Sequence, residues 1–363
     1  MSIDIHFTAA DWERRRQDWT AWWEGELPRP MVIIEDQLPV KVKVDEPKST
    51  WQLTYAFPND IPVNQMIDYY QRHLEATRYY GDALPRWWPD YGPGIMAGFL
   101  GARVHPSPET TWFEPSSYPD LRDLRLVYSA ENPWWARIKE VTTCAVERWG
   151  DQVCVAFTDL GGNLDLLASL RTTQQLLYDL LDEPDEVARL VKEMTGLWVQ
   201  YYQELYQIIG PVGNGTTPWA PIWSPQRTYM LQCDFSYMIS PRMFEAYVFP
   251  DLEACCQAME HGFYHMDGKG QIPHLDLLLS IERLRGIQWV PGEGSPPPQE
   301  WLPLLKRIRD GGKLCELNVS PEGARTITRA LGGQGFAFHI NQKMNAEQAS
   351  AFLKTIALDN DLN

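Results

Sequence analysis

The feature that most constrains this chain is an alternation that sets in near residue 150 and continues to the C-terminus. Short apolar runs at Val153–Asp159, Trp219–Trp223, Tyr229–Asp234, Phe263–Asp267, Ile287–Val290, Leu314–Val319 and Phe336–Ile340 read as strands. Helical patterns separate most of them, at Asp185–Ile209, Pro241–Glu260, His274–Leu284, Pro298–Asp310, Pro321–Leu331 and Ala346–Leu358. With Met31–Glu35 the strands number eight. Alternating strands and helices imply a parallel sheet, and eight units are what a single closed (β/α)8 TIM barrel of the α/β class requires. The length of 363 residues fits one such barrel, residues 1–363, with room for an insertion. Residues 36–150 read as that insertion, a cap with helices at Val63–Tyr80 and Trp134–Trp149 around a stretch rich in proline and aromatics.

Composition narrows the partners. With 32 basic and 48 acidic residues the net charge is −16, which argues against nucleic acid or an anionic membrane as partner. No apolar run is long enough to span a bilayer, and the N-terminal stretch has no signal-peptide core, so a cytoplasmic protein is expected. Six dispersed cysteines make no disulfide framework. Sixteen Trp and sixteen Tyr suggest either a thick core or a ligand pocket lined with aromatics, and the many rings within residues 18–135 favour a lid over the barrel mouth above a thick core. In each of the pairs Trp22–Trp23, Trp87–Trp88 and Trp134–Trp135, at least one ring is expected to face a loop, a ligand or a partner.

In a barrel of this kind the site lies at the C-terminal strand ends. The polar residues closing the apolar runs are Asp159 with Gly161 and Gly162, Gln232 with Asp234, His265 with Asp267, Gln288 with Glu293, Cys315 with Glu316, and His339 with Asn341. In the segment YHMDG, His265 and Asp267 share a strand face because side chains alternate with period two. Such a pair can offer one nitrogen and one oxygen to a divalent cation; equally, Asp267 can simply orient the imidazole. Gln232 and Asp234 share a face in the same way, with Cys233 opposed. Asp159 and the following glycines let a ligand approach a helix N-terminus, where Asp165 reads as a helix-start residue. Phosphate-binding loops, hydrolase nucleophile elbows and paired-cysteine motifs are missing from the sequence.

From about residue 150 onward the sequence resembles the superfamily of uroporphyrinogen decarboxylase and the corrinoid-dependent methyltransferases. The resemblance rests on DFSYMISPRMFEAYVFPDLE, on YHMDG and on GKLCELNVSPEGA. YHMDG stands where the methyltransferase branch carries a His-x-Cys zinc motif, so His265 matches the family's histidine ligand and Asp267 replaces its cysteine. The distal cysteine ligand and the N-terminal arginine motif of the decarboxylases are missing, as is a corrinoid-binding signature. The resemblance implies a methyltransferase-like enzyme, moving a methyl group between a small methylated substrate and a separate corrinoid protein or other acceptor. Its cofactor is expected to be a divalent metal, zinc, held by His265 and Asp267 with Glu293 or Glu316 completing the set. Asp159, Asp234, His265 and Asp267 are then the catalytic candidates, and Gln232, Tyr237, Trp289 and His339 the substrate-binding ones. A glycosidase-like barrel and a decarboxylase of a small acid stay open as alternatives.

Overall fold

The structure is a computed structural model that describes residues 3–43, 46–47 and 52–361. Among these residues lie eleven strands: β1 (Met31–Gln37), β2 (Thr77–Gly81), β3 (Arg86–Trp87), β4 (Arg103–Pro106), β5 (Thr111–Glu114), β6 (Cys154–Val155), β7 (Thr228–Gln232), β8 (His261–Asp267), β9 (Leu284–Val290), β10 (Leu314–Val319) and β11 (Phe336–Ile340). Seven of them form one sheet in the order β2-β1-β11-β10-β9-β8-β7. Every pairing in it is parallel except β1 with β2. A second parallel pair joins β3 to β6, and β4 with β5 makes a hairpin. The fold is mixed α/β, with a mainly parallel sheet and many helices.

The parallel strands number eight, but one of them is not where the sequence places it. Trp219–Trp223 is a loop, closed by the bridge between Thr216 and Ser224 and by the Thr217 hydroxyl donating to Ile222 O at 2.6 Å. Pro218 and Pro221 flank Trp219 and Ala220, and a proline has no N–H to give a ladder. The strand missing from the count is β3, two residues between Pro85 and Pro89, too short to register as a pattern. It lies inside residues 36–150, as does β2, so this segment contributes strands to both sheets.

Alternation along the strands divides the core in two. Val32, Ile34, Tyr264, Met266, Ile287, Trp289, Cys315 and Leu317 join the larger cluster, together with residues of the flanking helices. Met31, Ile33, Met230, Phe263, Leu314 and Ala337 point the other way and meet the N-terminal helix Ala9–Trp23. Trp19, Trp22 and Trp23 from that helix are each about 1% exposed. Their indole N–H groups donate to Asp82 O at 3.1 Å, Phe336 O at 3.2 Å and Trp223 O at 2.8 Å. Trp23 also stacks on His261, with centroids 4.3 Å apart. His261 and Phe336 open their strands, so these rings plug the N-terminal ends of the sheet. Trp22 and Trp23 are therefore both core, contrary to the expectation for such pairs, because the helix end is wedged between elements on either side. Trp88 and Trp134 each keep partly accessible surface beside their buried neighbours Trp87 and Trp135.

In the outer layer the helix Pro184–Ile209 packs against Phe249–Gln257, and the Thr195 hydroxyl donates to the buried Asp251 carboxylate. Burial pushes the Asp251 carboxyl up to about 7. An unfolded aspartate titrates near 4, so between the two values the native state binds the extra proton and stability falls as pH rises from about 4 to about 7. Asp251→Asn should flatten that fall. Urea midpoints at pH 5 and pH 8 should show the variant gaining on the order of 2 kcal/mol relative to wild type at the higher pH.

All six cysteines are free. Among the described residues, no helix is long and apolar enough to cross a membrane.

Candidate metal centre

In-register pairing places Gln232, His265, Gln288 and Glu316 in one row across β7, β8, β9 and β10. The row lies two residues beyond Met230, Phe263, Gly286 and Leu314, so the face that starts apolar at the tryptophan plug becomes polar toward the C-terminal ends. Just past the row, Asp234 and Asp267 bring two carboxylates to His265. Ligand atoms of Asp234, His265 and Asp267 all lie within 4.8 Å of one another.

The imidazole is oriented for this. His265 Nδ1 contacts Gln288 Oε1, an acceptor, so Nδ1 carries the proton and the Nε2 lone pair is free. Nε2 sits 3.9 Å from Asp267 Oδ2. Burial lowers the His265 pKa, with Gln288 and Asp267 acting in the opposite direction, and the neutral ring is the form that binds metal. The Trp219 ring meets it edge-on, with centroids 5.0 Å apart.

Carboxylates crowd the same region. Burial and the Asp267 charge push Asp234 up to about 6. Asp165, in the first turn of the helix Asn163–Arg171, accepts the backbone N–H groups of Asp234 at 3.0 Å and Phe235 at 2.7 Å, which fixes the loop that carries Asp234. Burial and Asp234 raise its carboxyl to about 7. Asp159 rises to about 7 through burial, against a 2.8 Å hydrogen bond from Gly161 N and contacts from the Gln232 amide at 3.3 Å. Like charges held this close destabilise one another, and a bound cation relieves them.

The backbone allows this convergence at one narrow point. A Cβ on Gly162 would stand 2.0 Å from Gln232 O, so the loop after β6 packs directly on β7. Gly162→Ala must separate the Asp159 loop from Gln232. Its expected cost is about 1–3 kcal/mol, read as a lower urea midpoint, together with weakened cation binding.

Asp234 borders two clefts. One, of about 480 Å³, is lined by Asp234, Tyr237, Asp267, Lys269 and Glu293. The other, of about 360 Å³, includes Gln232, Gly161 and the hairpin residues Thr111, Trp112 and Phe113. Of the residues singled out in the sequence, the structure thus gathers Asp159, Gln232, Asp234, Tyr237, His265 and Asp267. Glu293 lines the first cleft but stands outside the three-residue cluster. Glu316 lies along the row, two strands from His265 and 0% exposed. His339 lies on β11 two residues past the row toward the C-terminal ends, since Glu316 pairs with Ala337, and its pKa is lowered to about 4 by burial and by the Arg86 charge. Trp289 faces the opposite side of β9 from Gln288, with its ring 5.1 Å from Trp301. Gln288, Asp165 and Trp219 have structural roles here that the sequence pattern did not assign.

No protein-family model matches the sequence, and no curated protein matches it. The fold does have relatives. The chain is similar to a methyltransferase from Methanosarcina mazei. The two superpose with a TM-score of 0.59 over 95% of this chain and 98% of that one, at 12% sequence identity. The likeness is one of overall fold across nearly the whole of both chains.

Proposed function

We propose that this chain is a metal-assisted enzyme of methyltransferase type, built on a single (β/α)8 barrel that the two parallel sheets close together. The observation that carries the reading is the convergence of Asp234, His265 and Asp267 at the C-terminal strand ends, where such barrels keep their chemistry. The similarity to a methyltransferase fold supports it.

One nitrogen and two carboxylate donors suit a divalent cation, with zinc the first expectation, and the oxygen donors make the site harder than a thiolate set. When bound, the cation supplies Lewis acidity to a coordinated substrate or acceptor atom. The protein's own groups do the rest. Gln288 fixes the His265 tautomer, Asp165 holds the loop of Asp234, and Gln232, which lines the second cleft, donates to Asp159. The reaction is transfer of a methyl group between a small methylated substrate and a separate corrinoid protein or another acceptor.

The test is to load the purified protein with zinc and follow the methyl signal by NMR. Methylated amines and ethers are supplied with a corrinoid protein or a thiol as acceptor. Metal-dependent transfer that chelation abolishes supports the reading; no transfer from any donor, with metal bound, refutes it.

A further inference from the structure

A cavity of about 570 Å³ lies apart from the metal centre and shares no lining residue with either of its clefts. Three parts of the chain enclose it: the N-terminal helix Ala9–Trp23, the start of β1 with the end of β2, and the C-terminal helix Ala346–Asn360. Pro30, Val32, Ala349, Leu353 and Ile356 give it apolar walls. Arg14, Arg15, Arg29 and Lys354 bring cationic groups to the same space.

The charges in this lining do not balance. Its carboxylates are Asp18 and Asp82, and Arg29 answers both. The Arg29 guanidinium holds Asp82 in a two-pronged pair at 2.7 and 2.9 Å and reaches Asp18 at 3.0 Å. Arg14 turns to Asp11 at 3.4 Å on the helix surface, and the exposed Lys354 has no ion pair among the described residues. Arg15 is the decisive group. It is 4% exposed, lines the cavity, and has no carboxylate bonded to it among the described residues. Its Nε donates to Ala83 O at 3.1 Å, and its guanidinium stands 6.0 Å from the Phe7 ring. Both Nη groups are left without a hydrogen-bond partner. Burial lowers the Arg15 pKa, with the Asp82 charge acting in the opposite direction. A guanidinium taken out of water with donors unused carries the desolvation cost of those donors, and its planar fork matches a carboxylate.

We infer that this cavity binds a small organic carboxylate with a hydrocarbon body, the anion received by Arg15 with Lys354 at the rim, and the body lying on Pro30, Leu353 and Ile356. The volume is that of a small-molecule site. A chain with a net charge of −16 concentrates positive charge here, so the same lining that attracts an anion repels an ammonium of equal shape. The inference stands independently of the metal reading.

The test is calorimetric titration of the full-length protein, dialysed free of metal, with hexanoate, hexan-1-ol and hexylammonium. Hexanoate should bind at least about tenfold more tightly than hexan-1-ol, the worth of a charge-assisted hydrogen-bonded pair, and hexylammonium should bind more weakly than either. Arg15→Gln should weaken hexanoate about tenfold and leave hexan-1-ol unchanged. Lys354→Glu, at an exposed position where the fold is not at risk, should weaken hexanoate about threefold. Either control binding as tightly as hexanoate, unchanged hexanoate affinity in Arg15→Gln, or no hexanoate binding overturns the inference; should Arg15→Gln fail to fold, Lys354→Glu decides in its place. Zinc binding without hexanoate binding defeats this inference alone, and hexanoate binding by a protein that takes no zinc defeats the metal reading alone.

Discussion

His265→Ala should lower zinc affinity by more than about 100-fold, the largest effect of any substitution at the candidate centre. Three features of the geometry set this expectation. His265 is the only nitrogen donor in the cluster with Asp234 and Asp267. Its tautomer is already set by Gln288, so little is spent in preparing it for a cation. With alanine there the cluster also keeps only two donors, both of them carboxylates. A graded series makes the claim sharper. Gln288→Ala removes only the group that orients the ring and should cost about 10–100-fold, the usual size for an outer partner of a metal ligand. Glu293→Gln should change affinity little, because Glu293 lines the cleft without joining the cluster. Equilibrium zinc titration against a competing chelator measures all three. An order in which Glu293 outranks Gln288 would mean that the loop after β9, not the row of strand residues, supplies the site.

Trp23→Ala should destabilise the fold by about 3–5 kcal/mol, the range for removing a large buried ring from a core that cannot collapse around the gap. The ring is 1% exposed, stacks on His261 and packs edge-on against Trp22 at 4.9 Å and Phe263 at 5.8 Å. Its N–H holds Trp223 O at 2.8 Å, the end of the same loop that carries Trp219 into the interior. The loss should therefore appear both as a lower denaturant midpoint and as a looser Trp219. By contrast Trp112→Ala, at a ring 65% exposed on the hairpin beside the second cleft, should leave the midpoint nearly unchanged. Chemical denaturation followed by circular dichroism distinguishes the two.

Much of the architecture is legible in the sequence because period-two and period-3.6 patterns are local. Pro321–Leu331 reads from its spacing as the helix it is, and β8 and β10 read as strands containing the residues that matter. His265 and Asp267 share a face for the same reason. The failures have physical causes too. Trp219–Trp223 has the apolar composition of a strand, but its flanking prolines deny it a ladder, and its real work is to hold Trp219 beside His265. Arg86–Trp87 is a strand only because Cys154–Val155 pairs with it, a partner nearly seventy positions away. The helix pattern of Pro241–Glu260 breaks at Val248, giving Pro241–Tyr247 and Phe249–Gln257, because Pro250 cannot supply the N–H that a continuous helix needs. That Gln288 would be the partner of His265 depends on the register of β8 with β9, which no single-strand pattern encodes. The tryptophans show the same limit. Their number signals aromatic packing, but only the tertiary fold decides that Trp19, Trp22 and Trp23 close the N-terminal end of the sheet while Trp219 meets His265 edge-on.

The most direct measurement is a crystal structure of the zinc-soaked protein with anomalous data collected on both sides of the zinc absorption edge. One zinc per chain, bonded to His265 Nε2 and to carboxylate oxygens of Asp234 and Asp267 at about 2.0–2.2 Å, is the expected result. Zinc at any other set of residues, or no anomalous peak between these three side chains at saturating zinc, would contradict it.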